Sequence, residues 1–290
     1  SPRVVALKPR MPRHSLVVLS LMVALAPASA QVSEAGLTGG LSYYIGDINP
    51  LRHYPRHMHM AGGLFYRYNI TPHYAVRFQG LYTRLEAYDS DSPDPVQQAR
   101  NLGFRSNIFE LAFTVEVNFL KYRSIDRKNN HLWTPYLFVG LGYFHMNPQN
   151  RLDDTWYDLQ PLGTEGQGTA SGGKPYPLDV FNIPHGFGFK FALSDRVDLG
   201  VEWGLRRTYT DHLDDVGGVY ADRGVLVEEA GPLTAALADP SAARTSGINT
   251  GRARGDSNTK DWYQYTGLSL SMLLTRFTEC DAMWSKRKHR

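Results

Sequence analysis

Eight charged residues sit in stretches otherwise rich in apolar and aromatic side chains: Arg67, Arg77, Lys190 and Arg206, against Glu110, Glu116, Asp198 and Glu202. Four of each sign can pair inside an enclosed space, and the chemistry implied is a salt-bridged filling that keeps its surroundings stiff and closed. The alternative chemistry is a proton or ion path built from the same groups. Other clusters carry less. Asp211, Asp214, Asp215 and Asp222 offer carboxylate oxygens to calcium, although their spacing is not that of an EF-hand loop; Asp211, Asp214 and Asp215 are the metal candidates. The run GTEGQGTASGG (163–173) lacks the Lys-Ser/Thr pair and the following helix of a phosphate loop, and reads as a flexible outside connection. Arg254-Gly255-Asp256 is a triplet that arises by chance in polar loops and receives no role. His53, His57 and His59 have no G-x-S-x-G nucleophile turn to serve, so no catalytic residue is assigned and no cofactor is expected. The single cysteine, Cys280, excludes an intrachain disulfide framework and every multi-cysteine metal centre.

The eight charges share one kind of context. From Ser106 to Phe119, Phe109, Leu111, Phe113, Val115, Val117 and Phe119 alternate with Ile108, Glu110, Ala112, Thr114, Glu116 and Asn118. From Val197 to Arg206, Val197, Leu199, Val201, Trp203 and Leu205 alternate with Asp198, Gly200, Glu202, Gly204 and Arg206. A helical period would scatter these apolar residues around a cylinder, so the pattern demands strands with one apolar and one polar face. Eight such segments occur, near 36–46, 60–69, 74–85, 106–119, 134–144, 184–192, 197–209 and 262–274. Short turns follow the second, fourth and sixth (70–73, 121–132 and 193–196), and long loops follow the first, third, fifth and seventh. The fold class is therefore all-β: an eight-stranded antiparallel transmembrane barrel of the outer-membrane kind, with short periplasmic turns and long extracellular loops. Nine glycines, among them Gly140, Gly186 and Gly204, suit a tightly curved wall. With the first segment running outward, Tyr43, Tyr82, Tyr143, Trp203 and Trp262 fall at the outer rim. Tyr66, Tyr68, Tyr74, Phe119 and Phe191 fall at the inner one, and such rings favour membrane interfaces.

The 290 residues include 31 basic and 28 acidic ones, and aromatics make up 12%, which excludes disorder and gives no argument for a nucleic-acid partner. Residues 1–30 read as an upstream extension and a cleaved secretory signal: Arg13 and His14, an apolar run from Leu16 to Leu25, then Ala28-Ser29-Ala30. That stretch holds four basic residues and no acidic one, so the remainder is close to neutral. The barrel is expected over 31–277, ending on Phe277, and residues 278–290 form a basic tail with Lys286, Arg287, Lys288 and Arg290.

Seven stretches carry a family resemblance: GGLSYYIGDINP (39–50), AGGLFYRYNITP (61–72), FRSNIFEL (104–111), WYDLQPLGTEGQG (156–168), TDHLDDVGGVYAD (210–222), GPLTAALAD (231–239) and DWYQYTGLSLS (261–271). Across roughly residues 35–277 the chain resembles the PorG-like outer-membrane barrels of the type IX (Por) secretion system. The resemblance implies a non-enzymatic component of the secretion machine. Its partners would be a periplasmic ring lipoprotein, a soluble ring subunit and outer-membrane lipids, and the machine also supports gliding in bacteria that glide. The family contributes no catalytic residues. The reading from architecture alone is a small closed barrel acting in lipid modification or as a narrow pore. For the partner surface, the longest inside turn supplies Arg123, Arg127 and Lys128, whose charge can steer an acidic partner.

Overall fold

The computed structural model describes residues 32–49, 57–122, 131–170, 172–243 and 246–274. Among the described residues nine strands form: β1 (Val32–Ile45), β2 (His59–Asn69), β3 (Tyr74–Tyr88), β4 (Gly103–Asn118), β5 (Trp133–Leu152), β6 (Thr155–Asp158), β7 (Asp179–Ala192), β8 (Val197–Thr208) and β9 (Trp262–Leu273). All but β6 close into one antiparallel barrel in the order β4-β3-β2-β1-β9-β8-β7-β5, with β5 pairing back onto β4. Pairing of β1 with β9, Glu34 opposite Leu273 through Ile45 opposite Trp262, joins the first and last described strands. Closure satisfies the backbone within the sheet, the condition for a sheet to cross a bilayer.

Five strands run further than the alternation of the sequence indicates, with β4 beginning at Gly103 and β7 at Asp179. β1 begins at Val32, which brings Glu34 into the wall; β3 continues to Tyr88; and β5 continues to Leu152 and returns as β6. The outer part of β5 keeps its ladder with β4, Arg105 opposite Gln149, although its outward residues have turned polar. A strand that has left the lipid no longer shows an apolar face, so the pattern fades before the hydrogen bonding does. Asp153 and Asp154, both at positive φ (49° and 62°), make the two-residue turn into β6.

The two faces of the wall differ sharply. Leu37, Leu64, Phe78, Phe113, Leu141, Phe187 and Leu268 point outward, and Leu64 keeps 64% of its surface exposed. Such a continuous apolar belt around a closed barrel is a lipid-facing surface. Tyr82 and Tyr143 edge it on the loop side, and Tyr66, Tyr74, Phe119 and Phe191 on the turn side. Tyr43 departs from the expected outer girdle: it is only 5% exposed. Among the described residues no helix is long and apolar enough to cross a membrane; the strands do the crossing.

Inside, the barrel has two storeys. The loop end holds an apolar cluster that includes Tyr44, Phe104, Ile108, Phe144, Met146, Val180 and Tyr263, joined from the fourth long loop by Leu213 and Val216. Below it the filling is charged. Gly186 and Gly204 face each other across β7 and β8, and a Cβ on either would meet the Phe138 ring at 2.9 and 2.7 Å. The glycine pair thus leaves room for a ring that lies 5.2 Å under the Arg77 guanidinium.

Candidate functional site

The charged storey is centred on Glu116 of β4, which is fully buried. Lys190 Nζ approaches its carboxylate at 2.5 Å, Arg67 Nε at 2.9 Å and Arg77 Nε at 3.2 Å. The two arginine contacts are not aligned as hydrogen bonds, so they act through charge alone. Arg67 donates to Glu34 at 2.8 Å, and Arg77 donates to Glu202 at 2.5 Å. Alternation brings these groups inward from β1, β2, β3, β4, β7 and β8, and closure brings them together. Neutral donors also reach the acids: Asn69 and Ser271 donate to Glu34, and Tyr136 donates to Glu202. Rings flank the cations, Phe65 at 5.0 Å from Arg67 and Tyr136 at 4.5 Å from Lys190.

Glu110 and Arg206 lie nearer the loop end. Glu110 accepts from Tyr263 at 2.5 Å and Asn182 at 2.6 Å, and Arg206 Nε stands 3.6 Å away, beside the Tyr265 ring. Asp198 is buried close to the sixth turn, opposite Ala192 and Ser271. All eight charges picked out by alternation are thus inside the barrel. Glu34 joins them unannounced by the segment boundary at residue 36; its place, two residues before Gly36 on the same face, was the available signal.

The long loops build a second buried polar region. Arg254 is only 2% exposed; its guanidinium reaches Glu165 at 3.1 Å and the Asp215 carboxylate at 3.5 Å, and donates to the Ala238 carbonyl at 3.1 Å and to the Asp215 carbonyl. The arginine of the Arg-Gly-Asp triplet is therefore an internal clamp. Asp215 also accepts from Tyr176 at 2.6 Å and from Thr164. Burial alone would raise Glu165, but His212, Arg254 and the N–H groups of Gly217 and Gly218 hold it down to about 2. The glycine-rich run is not a loose connection as expected: positive φ at Gly163, Gly166 and Gly168 winds it so that Thr164 and Glu165 enter the cap.

Asp214 and Asp261 are both buried and both approach the Tyr44 hydroxyl, at 2.6 and 2.8 Å. Backbone N–H groups of Val216 and Leu213 donate to their other oxygens. Burial pushes Asp261 up to about 8, and burial with the Asp261 charge pushes Asp214 well above the usual carboxylate range.

The metal candidates do not converge. Asp211 stands 3.9 Å from Lys260, Asp214 turns to Tyr44, Asp215 to Arg254, and Asp222 caps the short helix beginning at Arg223. Protein donors already occupy Asp214, Asp215 and Asp222, and no group of three His, Cys, Asp or Glu among the described residues is placed to hold a metal. His57 pairs with Asp91 at 2.7 Å, tying first loop to second, and His59 of β2 pairs with Glu86 of β3 at 2.9 Å. His53, Arg123, Arg127, Lys128, Phe277, the 1–30 segment and the 278–290 tail lie outside the described residues.

A family model described as Domain of unknown function (DUF6089) matches residues 13–222. No curated protein matches the chain. Among solved structures, Neisserial surface protein A is 11% identical over 84% of this chain and 97% of its own, with a TM-score of 0.39. The N-terminal β-barrel domain of Pseudomonas aeruginosa OprF is 10% identical over 83% and 97%, TM-score 0.33. The outer membrane protein OprG of the same organism is 8% identical over 84% and 97%, TM-score 0.36. With its closed wall and apolar belt, the molecule is a multi-pass outer-membrane β-barrel.

Proposed function

The chain belongs to the DUF6089 family, and from that premise we propose that it is a non-enzymatic outer-membrane component of type IX protein secretion, anchoring the periplasmic ring of the machine. The observation that carries the reading is the filled lumen. A barrel whose interior is occupied by Glu116 and its three cations, under an apolar lid, leaves no aqueous route for a substrate. What remains available is its surface, and the sequence offers Arg123, Arg127 and Lys128, in the stretch that joins β4 to β5, as the charged contact for the ring lipoprotein and its soluble partner. The seven sequence stretches supply the identity of the machine. Lipid modification or a narrow pore is the competing role, and the filled lumen speaks against the pore.

Pull-down of the tagged protein from detergent-solubilised outer membranes tests the proposal. Wild-type barrel should bring the ring components with it. Charge reversal at Arg123, Arg127 and Lys128 together should lower ring recovery several-fold while the barrel still migrates faster on SDS gels unheated than boiled. A wild-type barrel that recovers no ring component, with altered lipid A in a deletion strain, would instead support the lipid-modifying role.

A further inference from the structure

Beyond the outer edge of the apolar belt, the outside of the wall carries three arginines on adjacent strands. On β3, Tyr82, Arg84 and Glu86 alternate outward between the buried Thr83, Leu85 and Ala87. On β4, Arg105 and Asn107 continue the face of Phe109; on β5, Gln149 and Arg151 continue the face of Tyr143. Register sets Arg84 opposite Asn107, Arg105 opposite Gln149, and Arg151 opposite Trp156 of β6. Arg84 stands two residues past Tyr82, about 7 Å along the strand, at the level where lipid headgroups begin.

These arginines are held differently from those in the lumen. Arg84 Nε donates to Asn107 Oδ1 at 3.1 Å, and Arg105 Nε to Gln149 Oε1 at 2.9 Å. The Arg105 guanidinium lies 3.5 Å over the Trp156 ring, with Arg151 at 6.0 Å from the same ring. Among the described residues neither Arg84 nor Arg105 has a carboxylate at ion-pair distance. The nearest acids are engaged elsewhere. Glu86 is bound by His59 at 2.9 Å and Tyr88 at 2.6 Å, and Asp158 by the carboxamides of Asn147 and Gln149. Arg151 approaches Asp154 at 3.6 Å, with both side chains more than half exposed, a pairing worth little in water. Each guanidinium of the Arg84–Arg105 pair thus spends one of its several N–H groups on a neutral oxygen and none on a charge.

We propose that this patch binds the phosphate of a phosphorylated glycolipid in the outer leaflet. A planar guanidinium matches phosphate with two parallel N–H donors, and stacking on Trp156 fixes the plane of Arg105 before the ligand arrives. The Asn107 and Gln149 carboxamides beside it suit the hydroxyls of the sugar that bears the phosphate. The acyl chains of such a lipid lie against the adjoining apolar belt, a contact that a soluble phosphate cannot make. Arg207, over Trp262 at 5.8 Å on β8, stands apart from this patch and serves as a control.

Native mass spectrometry of the detergent-extracted full chain, titrated with diphosphoryl lipid A, its dephosphorylated form and inorganic phosphate, tests the assignment. Diphosphoryl lipid A should bind at least tenfold more tightly than the dephosphorylated lipid. Arg84→Gln with Arg105→Gln should weaken it at least tenfold, Arg84→Lys with Arg105→Lys should fall between, and Arg207→Gln should bind as wild type. Heat-modifiable migration on SDS gels checks that each variant is folded, and if the glutamine pair does not fold, a several-fold loss in the lysine pair is the deciding result. Equal binding of both lipids, or wild-type binding by the folded glutamine pair, overturns the proposal. Inorganic phosphate binding as tightly as the lipid overturns the lipid source.

Discussion

The lumen and the outer cap both bury carboxylates, yet they neutralise them in opposite ways. In the lumen, Glu34, Glu110, Glu116 and Glu202 each have an arginine or lysine within ion-pair distance. In the cap, Glu165 and Asp215 share Arg254, but among the described residues Asp214 and Asp261 accept from the Tyr44 hydroxyl and backbone N–H groups and have no cation at ion-pair distance. One hydroxyl carries one hydrogen. It can donate to one of the two carboxyls only, so the trio is complete when the other carboxyl holds a proton. The lumen thus balances charge with fixed cations, whereas the cap balances part of its charge with a proton taken from solution.

The largest break in this comparison comes at Glu116. Glu116→Ala leaves Arg67, Arg77 and Lys190 facing one another without their common acid, and unfolding in detergent should show a loss of roughly 3–5 kcal/mol. Unchanged stability would mean that water reaches the lumen and screens the cations.

Arg254→Met comes next. It uncovers two buried acids in the cap but none in the wall, and the loops can open without the barrel unfolding. Limited proteolysis should therefore cut within 209–261 several-fold faster than in wild type, while heat-modifiable migration of the barrel stays the same. A variant whose barrel and loops fail together would show the two regions to be one cooperative unit.

The smallest effect is the response to pH. The raised Asp214 and Asp261 bind protons more tightly in the folded cap than in the opened one, so their stabilisation is fully present below the ordinary carboxylate value of 3.8 and fades as pH rises through about 8. Glu165, held near 2, acts in the other direction: its contribution is present above 4.5 and is lost as pH falls towards 2. Amide hydrogen exchange in 209–261, corrected for intrinsic rates, should be slowest near pH 5 and faster at pH 9, and Asp261→Asn should flatten the alkaline limb. Protection that increases from pH 5 to pH 9 would exclude a shared proton.

How much of this was legible in the sequence follows the same division. Period-two alternation placed Glu110, Glu116 and Glu202 inside because a strand's faces are fixed by parity, a local property. Which cations meet Glu116 was not legible, since Arg67, Arg77 and Lys190 arrive from β2, β3 and β7 only through barrel closure. Glu34 escaped because the polar start of β1 hides its alternation. The cap was read least well. Asp211, Asp214 and Asp215 offer several carboxylates within one short stretch, but positive φ at Asp215 (66°) helps turn the chain so that neighbours face different partners. Arg254, 39 residues from Asp215, sat in a polar stretch with nothing local to mark it as buried.

Conductance of the purified barrel in a planar lipid bilayer reports whether the lumen is closed. A lumen packed with paired charges beneath an apolar lid predicts no resolvable open-channel current in wild type, and intermittent currents in Glu116→Ala as the filling loosens. A steady open conductance in the wild-type protein would contradict a closed, charge-filled barrel.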